Sequence, residues 1–117
     1  MSQHDGDRLD LRPLLPLSGD GVHWTLERDG DLNVNLVHLD PGHEVGDHVN
    51  DEVDVLVVGL DGTGVTVVGD HHHDLGPGVT LHVPKGARRL IRAGGLGFSY
   101  LTVHRRRTGP TIGSGPA

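Results

Sequence analysis

The chain has 117 residues, a formal net charge of −6 with histidine neutral, ten histidines, 19 glycines, seven prolines and no cysteine. That length suits a single domain, the acidic balance argues against a general affinity for nucleic acid, and the lack of cysteine excludes a disulfide framework and thiolate metal sites. No apolar run reaches the roughly 18 residues that cross a bilayer, and the polar start MSQHDGDR lacks the apolar core of a signal peptide, so a soluble cytoplasmic protein without a membrane partner is expected.

Residues 1–17 read as an extended N-terminal arm. Pro13 and Pro16 block a helix there and leave Leu9, Leu11, Leu14, Leu15 and Leu17 as an apolar segment able to cross the outside of a sheet or pair with a second chain. Apolar, β-branched runs then predict strands over residues 22–28, 32–39, 53–58, 65–68, 79–83, 89–92 and 98–104. Between them fall turn signals at residues 18–21, 29–31, 40–42, 61–62, 69–70, 76–78 and 94–95, each built on glycine. Short strands at that spacing, with scarce aromatics, predict an all-β sandwich or barrel over residues 18–104. Within residues 32–39, Asn33 and Asn35 share a face with Val37 and Leu39, so neither face is wholly wet. Residues 105–117 begin with three arginines and continue Gly/Pro-rich, which predicts a basic, flexible tail.

Two segments carry more than strand pattern. Residues 42–62, GHEVGDHVNDEVDVLVVGLDG, place five residues between Gly42 and His48, then Asn50, a valine-rich run and Gly62. Residues 78–89, GVTLHVPKGARR, place five residues between Gly78 and Pro84, then Gly86 and Arg89. In this order and spacing the pair resembles the two signature motifs of the cupin family, over roughly residues 32–104, and is most similar to small single-domain bacterial cupins. The resemblance implies a double-stranded β-helix, that is, a jelly-roll barrel.

A metal-binding member would use two histidines on one strand, a glutamate on the next and a third histidine from the second motif. Measured against that set, His48 fills the first position and Asn50 replaces the second histidine. Val55 falls at the glutamate position with Asp54 one residue early, and Arg89 replaces the last histidine. No cofactor is therefore expected. A divalent Mn, Fe, Ni or Zn ion would need His48 together with His38, His82 or His104. The run His71, His72 and His73 follows the turn at residues 69–70, so its side chains alternate in direction and cannot share one tight site, and it reads as an exposed hairpin that retains metal adventitiously.

The resulting reading is a cupin-like domain that binds a polar or anionic small molecule through His48, Asn50, Arg89, Tyr100 and His104, with Arg89 as the anion-binding fork. Arg89 could instead pair with Asp54 or Glu52. Two alternatives stay open: a metal-independent isomerase, epimerase or cyclase in which His48 or Asp54 moves a proton, and a metal-dependent, dioxygenase-like enzyme with an unusual ligand set. A homodimer is expected, with the leucine-rich arm contributing.

Overall fold

The computed structural model describes residues 6–26 and 30–106. After a single 3-10 turn over Arg12–Leu14, seven strands follow: β1 (Gly21–Thr25), β2 (Leu32–Leu39), β3 (Glu44–Val49), β4 (Val55–Val68), β5 (His71–Leu75), β6 (Thr80–Val83) and β7 (Arg88–Arg105). The architecture is all-β, as the sequence predicts. Among the described residues no helix is long and apolar enough to cross a membrane.

All pairings are antiparallel, in the order β1-β2-β7-β4-β5, with β3 added beside β7 and β6 beside β4. The two long strands β4 and β7 pair with one another from Leu56↔Val103 to Val68↔Arg89 and belong to both layers of the barrel. One layer joins β1, β2 and β6 to residues 98–105 of β7 and 55–59 of β4; the other joins β3 and β5 to residues 88–93 and 64–68.

Between the layers both long strands turn a corner, and there the register slips between Gly59 and Asp61 and again between Gly62 and Gly64. A Cβ on Gly59 would overlap the carbonyl of Gly76, and one on Gly62, whose φ is +71°, would overlap the carbonyl of Gly97. The slip changes which residues face inward. On β4 the buried set passes from Val55, Val57 and Gly59 to Gly64 and Thr66; on β7 it passes from Arg89, Ile91 and Ala93 to Phe98, Tyr100, Thr102 and His104. The core between the layers contains Val37, Leu39, Val55, Val57, Val83, Phe98 and Tyr100 from one and Leu75, Ile91 and Ala93 from the other.

Several expectations are corrected here. The predicted turns at residues 61–62 and 94–95 do not reverse the chain; they are corners within continuous strands, so four predicted strands merge into two. Strands β3 and β5 were not predicted, because EVGDHV and HHHDL offer too few apolar residues to show an alternation. The arm is not wholly extended, since Pro13 sits in the first turn of the 3-10 segment, where its missing N–H costs nothing. The first strand ends at Thr25 rather than at residue 28; residues 27 and 28 of its predicted range lie outside the described residues, as do residues 1–5 of the arm and 107–117 of the tail.

If the corner depends on backbone-to-backbone approach, Gly59→Ala destabilises the protein by about 3 kcal/mol or more. Gly30→Ala, at an open and exposed position, changes stability by no more than about 0.5 kcal/mol. Urea unfolding of the two variants checks the contrast.

Candidate functional site

The barrel end away from the corner gathers most of the inward-facing polar side chains. On one layer, His48 of β3 stands directly opposite Arg89 of β7. Arg89 is only 4% exposed, while His48 is half-buried. On the other layer Tyr100 is 2% exposed and stacks on Phe98 with ring centroids 5.0 Å apart. Burial pushes the Tyr100 hydroxyl up to about 12, and the positive charge of Arg89 acts against that rise, so the two groups from different layers feel one another.

Beside Tyr100 runs a ladder of uncharged polar groups that sequence reasoning did not assign to the site. Thr25 Oγ1 donates to Asn35 Oδ1 (2.8 Å), and Asn35 Nδ2 donates to Asn33 Oδ1 (2.7 Å). Asn35 lies opposite Thr102 and Asn33 opposite His104, all on the inner face. The visible signal was the placing of two asparagines on the same strand face as core residues Val37 and Leu39. Buried polar atoms without a hydrogen-bond partner include Thr102 Oγ1, Thr66 Oγ1 and Asn50 Nδ2; such an atom costs about 1–3 kcal/mol.

Asn50 lies in the turn after β3. Its Oδ1 accepts from the backbone N–H groups of Glu52 (3.0 Å) and Val53 (3.3 Å), and its carbonyl accepts from Gly86 N (2.6 Å), which ties the two motif loops together. The side-chain oxygen is thus committed to the turn, and the amide nitrogen is its remaining donor.

The structure separates other candidates from this group. Val55, not Asp54, faces inward and is 1% exposed. Asp54 lies on the outside, where its carboxylate accepts from Lys85 N (2.9 Å) and from His82 Nε2 (2.9 Å), bonds that hold its pKa below the usual carboxylate range. It lines an outer cleft of about 420 Å³ with Glu52, Val53, Lys85 and Arg105. The catalytic candidacy of Asp54 and its pairing with Arg89 are corrected accordingly. So is the place of His82 in any interior ligand set, because the residue pairs with Leu56 on the outer face. His38, although buried, also lies on the outward side of β2: Nδ1 meets Ser99 Oγ at 2.7 Å and Nε2 meets Asp40 Oδ1 at 3.2 Å. Of the three supplementary histidines only His104 faces inward with His48, and its Nδ1–H donates to the Arg105 carbonyl (2.7 Å). His71 and His73 lie on strand β5, opposite Val68 and Thr66, with His72 on the other face, so the run alternates within the β4–β5 hairpin.

Outside the barrel, ligand atoms of Asp20, Asp40 and His43 lie within 4.8 Å of one another. These atoms are already engaged: Asp20 Oδ2 meets His43 Nδ1 at 2.7 Å, Asp20 Oδ1 accepts from Asp40 N, and Asp40 Oδ1 accepts from Gly19 N. The Asp40 backbone N–H and then His43 hold the Asp20 pKa below the usual carboxylate range, and Asp20 in turn raises the pKa of His43. The cluster pins the segment before β1 to the β2–β3 turn.

This double-layered antiparallel barrel, with two long strands shared between its layers, is a jelly roll. Solved structures place it further. A protein from Thermus thermophilus superposes with a TM-score of 0.73 at 24% identity, over 86% of this chain and 97% of that one. A cupin superfamily protein from Desulfitobacterium hafniense gives 0.70 at 24% identity over 86% and 91%. A cupin-2 domain containing protein from Shewanella frigidimarina gives 0.70 at 17% identity over 84% and 94%. No family model matches the chain, and no curated protein matches it. What the chain shares with these structures is the fold, a small jelly-roll barrel of the kind these cupin proteins adopt.

Tyr100 is the chain's sole tyrosine, so its ionisation can be read directly. Absorbance at the tyrosinate band stays flat through about pH 11 while the protein is folded and rises only near the value of about 12. A raised folded-state value means that the contribution of Tyr100 to stability is complete below its ordinary value near 10 and fades as pH climbs through about 12. A transition centred near pH 10 in folded protein contradicts the burial of the hydroxyl.

Proposed function

We propose that this chain is a small-molecule-binding cupin domain that takes a polar or anionic ligand at the mouth of its barrel without the metal centre of metal-binding cupins. The observation that carries this reading is Arg89: a permanent cation, nearly closed to solvent, facing inward opposite His48 and electrostatically coupled to Tyr100. A guanidinium in such surroundings offers a planar fork matched to carboxylate or phosphate, and removal from water strengthens that attraction. His48 and Tyr100 add hydrogen-bonding groups beside it, and His104 extends the same face.

The donor set does not fit a divalent ion. Val55 supplies no oxygen where the family's carboxylate would stand, Asn50 Oδ1 is occupied by two backbone N–H groups, and Arg89 adds a positive charge where a cation would sit. His38 and His82 face away, which also weighs against a dioxygenase-like centre. With Asp54 outside, proton transfer in an isomerase-like reaction would rest on His48 without that acid.

A panel of small carboxylates and inorganic phosphate, followed by calorimetry, tests the anion site. Arg89→Ala is expected to weaken binding by about 100-fold while unfolding remains cooperative; unchanged affinity removes Arg89 from the site. Tag-free protein, chelated mildly to clear the His71–His73 run, is expected to carry no stoichiometric metal by elemental analysis. Stoichiometric metal that disappears in His48→Ala overturns the metal-free reading.

The proposal includes self-association. Leu9 (48% exposed) and Leu14 (43%) on the arm, with Leu32 (52%) and Leu56 (37%) on the strands, leave apolar surface for a second copy. Light scattering at micromolar concentration is expected to give twice the chain mass of 12.5 kDa, and a monomer refutes the dimer.

A further inference from the structure

We propose that the cleft on the outside of the barrel, between the two motif loops and the end of β7, binds a small zwitterion: a molecule with a carboxylate and an ammonium on one short carbon frame, as in a free α-amino acid. This site is separate from the barrel interior and from Arg89.

The cleft holds about 420 Å³ and is lined by Glu52, Val53, Asp54, Lys85 and Arg105, a volume in the range of small-molecule sites. Asp54, Lys85 and Arg105 are exposed, so a ligand reaches them without opening the fold. Two of the charged groups are already held in place. The Asp54 carboxylate accepts from Lys85 N and from His82 Nε2, each at 2.9 Å, and Arg105 Nη2 donates to the Glu52 carbonyl at 3.1 Å, which ties the end of β7 to the first motif loop. Opposite charges share this cleft without closing on one another: among the described residues neither Lys85 nor Arg105 is in ion-pair contact with a carboxylate, and Lys85 Nζ makes no hydrogen bond.

The charge of the ligand follows from that balance. A simple anion is drawn in by Lys85 and Arg105 but repelled by Glu52 and Asp54, and a simple cation meets the reverse. A zwitterion gains both attractions. Its carboxylate accepts from Lys85 Nζ and the Arg105 guanidinium, and its ammonium donates to Asp54, whose two oxygens each keep a second lone pair after the bonds they already accept. Because the groups are exposed, salt screens the attraction, and affinity falls as ionic strength rises.

Lys85 is the sole lysine of the chain, so reductive 13C-methylation, which keeps the amine positive, gives one side-chain NMR signal that reports on the cleft. Glycine, alanine and leucine are each compared, at fixed ionic strength, with the acid lacking the amine (acetate, propionate, 4-methylpentanoate) and the amine lacking the carboxylate (methylamine, ethylamine, 3-methylbutylamine). At least one amino acid is expected to shift the Lys85 signal saturably and, by calorimetry on unmodified protein, to bind about tenfold tighter than both of its analogues. Lys85→Gln and Asp54→Asn remove one charge each at exposed positions, and the Asn oxygen can still accept from Lys85 N. Each is expected to weaken calorimetric binding about tenfold. A deaminated acid that binds as tightly as its amino acid makes the cleft an anion site and overturns the zwitterion. Affinity unchanged in both variants, or no saturable shift at Lys85 with any compound, overturns the cleft as a binding site and leaves the reading of Arg89 untouched.

Discussion

At the corner of the barrel, Gly59 rests against the carbonyl of Gly76 and Gly62 against that of Gly97, with no room for a side-chain carbon between them. This backbone approach lets β4 and β7 bend while still hydrogen-bonded to one another, so each can serve both layers. The rest follows from it. Once the layers share strands, their facing surfaces must close on a common core, and Val57, Phe98 and Tyr100 meet Ile91, Ala93 and Leu75 there. The inward face at the corner end, where Phe98 and Ala93 lie, is apolar; polarity increases toward the mouth, through Thr102 to His104 on one layer and to Arg89 on the other.

That gradient gives the interior its chemical character. An arginine that is 4% exposed is expensive to bury without compensating charge or hydrogen bonds. The barrel places it at the polar end, opposite His48 on the neighbouring strand and within electrostatic reach of Tyr100. The second layer meets it with uncharged amides and hydroxyls. A cation on one wall thus faces uncharged amides and hydroxyls on the other.

Much of this was legible in the amino-acid order, and the failures have physical causes. Strand β2 was read with its observed bounds because its apolar-rich run is closed on both sides by the turn signals at residues 29–31 and 40–42. The paired glycine and proline motifs pointed to the barrel because turns demand those residues at fixed spacing. The long strands were each read as two because their inward-facing positions shift by one at the corner, and a periodicity count sees a shifted phase as an ending. The facing of Asp54 could not be settled by counting, since a single bulge reverses it; the structure has none at that place and puts Val55 inside. His38 and His82 looked equivalent to His104 in the chain, but facing depends on the partner strand, which no local pattern reveals. Asn33 and Asn35 were visible on the core face, yet their link to Thr25 depends on a strand pairing across the intervening turn.

The shift of phase has a consequence for how this barrel can change over time. Inward residues on β7 are odd-numbered up to Ala93 and even-numbered from Phe98 on, so residues 94–97 absorb one unit of parity. Losing or gaining one residue there would turn a whole arm of the strand inside out, exporting either Arg89 or the Tyr100 face to solvent. Two-residue changes would leave the facing intact and alter only the width of the bend. The corner can therefore vary in steps of two while the inward-facing set is inherited unchanged, which separates the evolution of the barrel's bend from that of its interior chemistry.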